Sequence, residues 1–468
     1  MTTTSETAGS LPEEAALRAS VSAGFPRTLQ DLKDLVAIPG IAWDSFDVAN
    51  LDRSAEAVAA LLRGTGLDEV QILRVDNNGK PGGPAVVARR PAKEGMPTVL
   101  LYAHHDVQPP GDPELWETEP FTATERNGRL YGRGAADDKA GIMVHIGALR
   151  ALDEVLGAGS GVGITFFIEG EEEAGSPTFR TFLETHRELL KADVIVVADS
   201  GNWKVGTPAL TTSLRGLVDG TFEVRVLGHA VHSGMFGGPV LDAPTLLARL
   251  ISTLHDSQGN LAIEGLVGFD EAQVDYPEQD FREDSSVLDS VQLAGTGSIA
   301  SRLWTKPALS IIGIDVPSVA MSSNTIQPVA RAKFSLRLAP GQDPAAAEEA
   351  VARHLEANRP FGAEVVFTPG ERGNAFATDT SAPAAQTALW ALERAWGTPP
   401  VEMGVGGSIP FIADLVEVFP SAQILVTGVE DPDSRAHSAN ESLDLGDFEK
   451  AILAEALVLA RLGMPETP

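Results

Sequence analysis

Four short apolar runs, each leading into residues able to ligate a metal, constrain this chain more than any other feature. Thr98-Val99-Leu100-Leu101-Tyr102-Ala103 runs into His104-His105-Asp106. The run from Gly161 to Ile168 meets Glu169-Gly170-Glu171-Glu172-Glu173-Ala174-Gly175-Ser176, and the run from Asp193 to Ala198 meets Asp199. The run from Ala422 to Thr427 leads through a Gly- and Asp-rich loop to His437. Short continuous apolar runs between helical segments read as parallel strands buried on both faces. In open α/β sheets the site lies at the carboxyl ends of the strands, and here that edge collects His, Asp and Glu. Residues i and i+2 of a strand share a face. His104 and Asp106 can therefore project together, as a metal ligand and the carboxylate that orients it. Singly, each element has an ordinary reading, because acidic turns are solvated and a strand-end Asp caps the next helix. Gathered on one sheet edge, they predict a metal site.

A fifth element, Gly132-Arg133-Gly134-Ala135-Ala136-Asp137-Asp138-Lys139, is a glycine-rich loop. It opens a helix whose apolar face includes Ile142, Ile146 and Leu149. The motifs Ala103-His104-His105-Asp106-Val107, Gly132-Arg133-Gly134 through Asp137-Asp138-Lys139, Glu172-Glu173-Ala174-Gly175-Ser176, Ala198-Asp199-Ser200 and Ala436-His437-Ser438 together resemble the M20 family of metallopeptidases. The likeness extends from about Leu29 to about Leu462. It implies two divalent metal ions, with His104, Glu173, Asp199 and His437 as terminal ligands and Asp137 bridging. It also implies a cis peptide between Asp137 and Asp138. All five ligands are N or O donors, which suits zinc and also admits manganese or cobalt. Amide hydrolysis at neutral pH needs a strong nucleophile, and metal coordination supplies it by lowering the pKa of water. Of the adjacent glutamates, Glu173 matches the ligand and Glu172 the general base, which passes the water's proton to the leaving amine. Asp106 is expected to orient His104.

The order of elements indicates an interrupted α/β domain. Residues 1–212 and 382–468 alternate strands and helices around a mainly parallel sheet. Residues 213–381 read as an inserted ferredoxin-like βαββαβ unit. Its expected strands lie near Gly220–Val226, Ala308–Ile314, Ala330–Leu338 and Glu364–Thr368, with helices near Pro244–His255 and Pro344–Ala357. The resemblance makes this insert a lid and dimerisation domain. There His232, in His232-Ser233-Gly234, matches a residue that reaches the partner subunit's site and stabilises the oxyanion. Asn324 matches a polar position in the same pocket. Arg337 matches an arginine that holds the substrate's free carboxylate, a task for which a guanidinium is well shaped. Gly407 and Ser408, in Gly406-Gly407-Ser408-Ile409-Pro410, resemble a glycine-rich substrate loop. A homodimer is therefore expected.

Val107-Gln108-Pro109 and a long acidic insertion at about Asp256–Lys306 point to the dipeptidase branch, the relatives of carnosine and cysteinylglycine dipeptidases. One departure is Gly404-Val405, which stands where those enzymes carry Arg-Glu. Hydrolysis of dipeptides or similar small peptides is the expected activity. An N-acyl-amino-acid amidohydrolase of the same family and a catalytically inactive peptide- or metal-binding protein are the alternatives.

The chain holds 35 Lys+Arg against 65 Asp+Glu, a formal net charge of -30. That balance argues against nucleic acid or an anionic membrane as a partner. Cysteine is absent, which rules out disulfides and thiolate ligands and fits the cytoplasm. No stretch is apolar enough to span a bilayer. The first residues lack a basic segment followed by an apolar core, so no secretory signal is expected, only a loose tail before a helix near Glu13–Ser22.

Overall fold

A computed structural model describes residues 11–464 apart from 68, 78, 158, 159, 271, 273, 408 and 409. The expected N-terminal tail therefore lies outside the described residues. The chain divides into two compact units: Met1–Thr212 with Thr378–Met403 and Asp414–Pro468, and Ser213–Ala377 with Gly404–Ala413.

In the first unit, strands run in the order Glu69–Leu73, Ala85–Arg90, Gly163–Glu169, Thr98–His104, Val194–Val197, Gln423–Val426, Ala209–Leu214. The four central strands are parallel. They are the strands the apolar runs foretell, and their side chains are almost wholly buried. The sheet is mixed rather than mainly parallel, because Glu69–Leu73, Ala85–Arg90 and Ala209–Leu214 pair antiparallel at its margins. Glu69–Leu73 and Ala85–Arg90 are joined by a short segment carrying a small hairpin, with no crossover helix to make them parallel. Helices Glu14–Val36, Lys139–Val155 and Leu445–Leu462 pack together. Lys139–Val155 buries Ile142, Ile146 and Leu149 as its spacing predicts. Its first residue, Lys139, is fully buried. The ammonium donates to Leu35 O at 2.8 Å and Ile38 O at 2.7 Å, where the helix Glu14–Val36 ends.

The second unit follows the order βαββαβ: Gly216–Arg225, Ala243–Ser252, Ala308–Asp315, Val329–Leu338, Pro344–Ala357, Glu364–Gly373. Its strands are all antiparallel, and Ala308–Asp315 and Glu364–Gly373 form the edges. Gly216–Arg225 and Val329–Leu338 alternate in burial. Val218, Phe222, Phe334 and Leu336 point to one face and join Leu246, Leu250 and Val351 of the helices in a core. The acidic insertion carries helices Glu278–Ser285 and Ile299–Trp304.

Gly404–Ala413 groups with the second unit, whereas the sequence places it with the first. Arg215 explains the difference. Its backbone N–H donates to Val405 O at 3.3 Å and its Nε to Gly406 O at 3.0 Å. A Cβ on Gly404 would stand 2.6 Å from Trp304, so the indole occupies the space that a larger residue would need. The resumption of the first unit at Thr378 also precedes the expected 382.

Candidate metal centre

The metal-type residues of the first unit converge at the carboxyl ends of its parallel strands. His104 closes Thr98–His104, level with Glu169 on the neighbouring strand. Asp199 follows Val194–Val197. Glu172 and Glu173 lie on the 3-10 turn Glu172–Ala174, just beyond Gly163–Glu169. Asp137 sits at the mouth of the helix Lys139–Val155, and the Asp137–Asp138 peptide is cis. His437 arrives on the loop after Gln423–Val426.

Asp137 is the centre of the group. Its Oδ1 lies 3.1 Å from His104 Nε2, and its Oδ2 lies 3.0 Å from His437 Nε2. His437 Nε2 is also 3.3 Å from Glu173 Oε2. His104, Asp137 and Glu173 offer donor atoms within 4.8 Å of one another, and so do His104, Glu172 and Asp199. The arrangement gives each oxygen of Asp137 its own imidazole.

Burial pushes the Glu172 carboxyl up to about 9, with Asp199 and Glu173 adding to the rise and His104 opposing it. Glu173 is pushed up to about 8 by burial and by Asp137, and Asp199 to about 6, again by burial first. Burial alone would lower His104, but its hydrogen bonds to Asp106 and Asp137 hold it well above the usual histidine range. Burial would likewise raise Asp137, but hydrogen bonds from both imidazoles hold it below the usual carboxylate range. Among the described residues, no Lys or Arg forms an ion pair with Asp137, Glu172, Glu173 or Asp199. Four carboxylates therefore crowd together with only two imidazoles for company. Oxygen and imidazole donors in that number, without a cationic side chain, fit divalent cations.

Residues around the set hold it in place. Asp106 lies beside His104 and also beside the acidic turn. His104 Nδ1 has the backbone O of Asp106 at 3.1 Å, nearer than Oδ1 at 3.4 Å. The carboxylate instead takes the backbone N–H groups of Glu172 and Glu173, at 3.1 and 3.0 Å. Asp138 Oδ2 accepts the N–H of His104 at 3.1 Å. Gln108 Nε2 donates to Glu173 Oε2 at 2.7 Å. Trp43 Nε1 donates to Glu173 O at 3.0 Å. Glu171 receives the N–H groups of Gly83 and Thr178, and Tyr102 donates its hydroxyl to Glu169 at 2.7 Å. Glu169, Glu171 and Glu173 are thus separately anchored carboxylates, whereas Glu172 is held by its backbone. Sequence reasoning found neither Gln108 nor Glu171 as supports. Gln108 was visible only as a branch marker, and Glu171 looked like one more solvated acid.

The remaining candidates belong to the second unit. His232 is exposed, and its Nδ1 accepts the N–H of Gly234 at 3.1 Å. Asn324 is its neighbour, because Ser233 N donates to Asn324 O at 2.9 Å and His232 pairs with Thr325. Arg337 is half-buried on Val329–Leu338, opposite Leu217 and Ala308. Gly407 is half-buried next to Gly406, and Ser408 lies outside the described residues.

The family described as peptidase family M20/M25/M40 matches residues 100–461. A cysteinylglycine-S-conjugate dipeptidase of Corynebacterium striatum is 36% identical over 417 residues, covering 88% of this chain and 90% of that protein. A Cys-Gly metallodipeptidase of Schizosaccharomyces pombe is 30% identical over 402 residues, 81% of this chain and 83% of that one. The crystal structure of human carnosine dipeptidase 1 superimposes with a TM-score of 0.75 at 26% identity, covering 97% of this chain and 100% of that chain.

Proposed function

The chain belongs to peptidase family M20/M25/M40, and from that footing we propose that it is a dinuclear metallopeptidase that hydrolyses dipeptides. The observation that carries this reading is the group of carboxylates and imidazoles around Asp137, with His104, Asp137 and Glu173 buried, Glu172 and Asp199 half-buried and His437 exposed. Similarity to dipeptidases over most of the chain supports the substrate class.

His104 and Asp199 would hold one ion, Glu173 and His437 the other, with Asp137 shared. Two divalent ions bound there, zinc by donor type with manganese or cobalt also suited, supply an acidified water and polarise the peptide carbonyl. Glu172 takes the water's proton on its carboxylate and delivers it to the leaving nitrogen. Asp106 fixes the backbone of that base and of Glu173. Arg337 pairs with the substrate's carboxylate, and Gly407 and Ser408 belong to the substrate loop that the resemblance implies. His232 and Asn324 serve the oxyanion from a second subunit. Dimerisation through the inserted domain draws support from the edge strand Ala308–Asp315 and the turn after it. Ile312, Ile314, Val316, Val319 and Met321 are 44–92% exposed there, an unusual apolar display for a free surface. No helix among the described residues is long and apolar enough to cross a membrane. A cytoplasmic location rests on the lack of cysteine.

The test is turnover by the purified protein of dipeptides and N-acyl amino acids, with zinc or manganese and with a chelated control. Metal-dependent cleavage of dipeptides is expected. Cleavage of N-acyl amino acids alone would assign the chain to the family's amidohydrolases. Full activity in a verified metal-free sample would sink the mechanism.

A further inference from the structure

Two buried residues of opposite charge join the loop that bears Asp137 to the loop that bears His437. Arg133, 1% exposed, belongs to the first, and Glu441, fully buried, to the second, 308 positions away. Each reaches into the other's loop. Glu441 Oε1 accepts the N–H groups of Ala136 and Asp137, at 2.9 and 3.1 Å. Its Oε2 accepts the N–H of Gly134 at 3.0 Å and Arg133 Nη1 at 2.6 Å. Its backbone O accepts the N–H of Gly132 at 3.0 Å. In return, Arg133 Nη2 donates at 3.2 Å to the backbone O of Ser438, the residue after His437. Gly134 takes a φ of +80°, a left-handed turn that glycine adopts freely, between Arg133 and the backbone N–H groups of Ala136 and Asp137.

An ion pair sealed from water is a weak source of stability, because desolvation offsets most of the attraction. What this pair does is set a distance. One end grips the N–H of Asp137 itself, and the other grips the carbonyl of Ser438, the residue after His437. We propose that Arg133 and Glu441 are positioning residues that fix Asp137 and His437 relative to one another before any ion binds, so that the ion shared by those two meets a preset pair. This rests on the reading of the group around Asp137 as a metal site.

The test uses the full chain and the variants Glu441→Gln and Arg133→Lys. Glutamine keeps the shape but turns an amide N–H₂ toward backbone donors. Lysine keeps the charge but loses the fork. Zinc affinity is measured by competition with a chromophoric chelator, and the cobalt-loaded forms are compared by visible spectrum. Substitution of groups that orient ligands typically lowers metal affinity by about 10–100-fold. The expected result is a loss of that size at one of the two ions, with an altered cobalt spectrum and the second ion less affected. Arg133→Lys, the milder change, decides the matter if Glu441→Gln fails to fold. Unchanged zinc affinity and cobalt spectrum in a folded variant would overturn the proposal, even if thermal stability falls. Failure of the parent chain to bind two ions would overturn the metal reading as well, so the two failures are distinct.

Discussion

Gln108 holds both carboxylate oxygens of Glu173: its backbone N–H donates to Oε1 at 3.1 Å and its Nε2 to Oε2 at 2.7 Å. A flexible glutamate is thereby presented in one orientation toward His437 and Asp137. Gln108→Ala removes the side-chain donor to Oε2 and leaves only the backbone N–H on Oε1, and zinc affinity should drop by about 10–100-fold. Competition titration of parent and variant measures it, and equal affinities would show that the contact is incidental.

Glu172 should carry protons without holding metal. Glu172→Gln is expected to lower kcat by about 10²–10⁴ while both ions stay bound. Elemental analysis beside steady-state kinetics separates the two roles. Loss of an ion would mean that Glu172 is a ligand, as its place beside His104 and Asp199 permits.

His232 lies in the second unit, away in sequence from every proposed ligand. If it serves a partner's site, His232→Ala should lose about 10²–10³ in rate and keep its metals. Mixing it with Glu172→Gln should then restore part of the activity, since some heterodimers pair an intact Glu172 with an intact His232. Native mass spectrometry establishes exchange. Heterodimers without recovered activity would remove the role in trans.

The raised carboxyls give the metal-free protein a defined response to pH. Burial lifts Glu172 to about 9, Glu173 to about 8 and Asp199 to about 6, above their unfolded values. His104 and His437 are raised as well. Between about pH 5 and 9 these groups bind more protons in the folded chain than in the unfolded one, so their contribution to stability falls as pH rises. Lys139, lowered by burial to about 7, and His105, lowered to about 4, act the other way. Asp137, held below the usual carboxylate range, acts only below that window. Metal binding must displace those protons, so affinity should climb over the same range. Urea midpoints in chelator at several pH values, with calorimetry in buffers of different ionisation enthalpy, measure both. A metal-free midpoint that rises from pH 6 to 8 would contradict the assignment.

The central strands and the βαββαβ insert were legible because they rest on local periodicity: apolar runs in Thr98–Ala103, alternation in Gly220–Val226. The candidate ligands were legible because strand ends bring them to one edge. Partners such as Gln108 for Glu173 or Arg133 for Glu441 were not. Their pairing follows from how loops meet in space, and no repeat or spacing in the sequence encodes it. The same holds for Gly404–Ala413, whose attachment depends on Arg215, and for the antiparallel margins, whose direction depends on connection length.

Lys139 closes the helix Glu14–Val36 from beneath the loop of Asp137. Opening that helix end would leave a buried ammonium without acceptors, a state costly enough to drag the loop open with it. Amides near Leu35 and those near Asp137 should therefore exchange with deuterium as one cooperative unit. The N-terminal helix thus helps to hold the loop of Asp137 in place, and a protein trimmed past it would lose protection first at the backbone amides near Asp137.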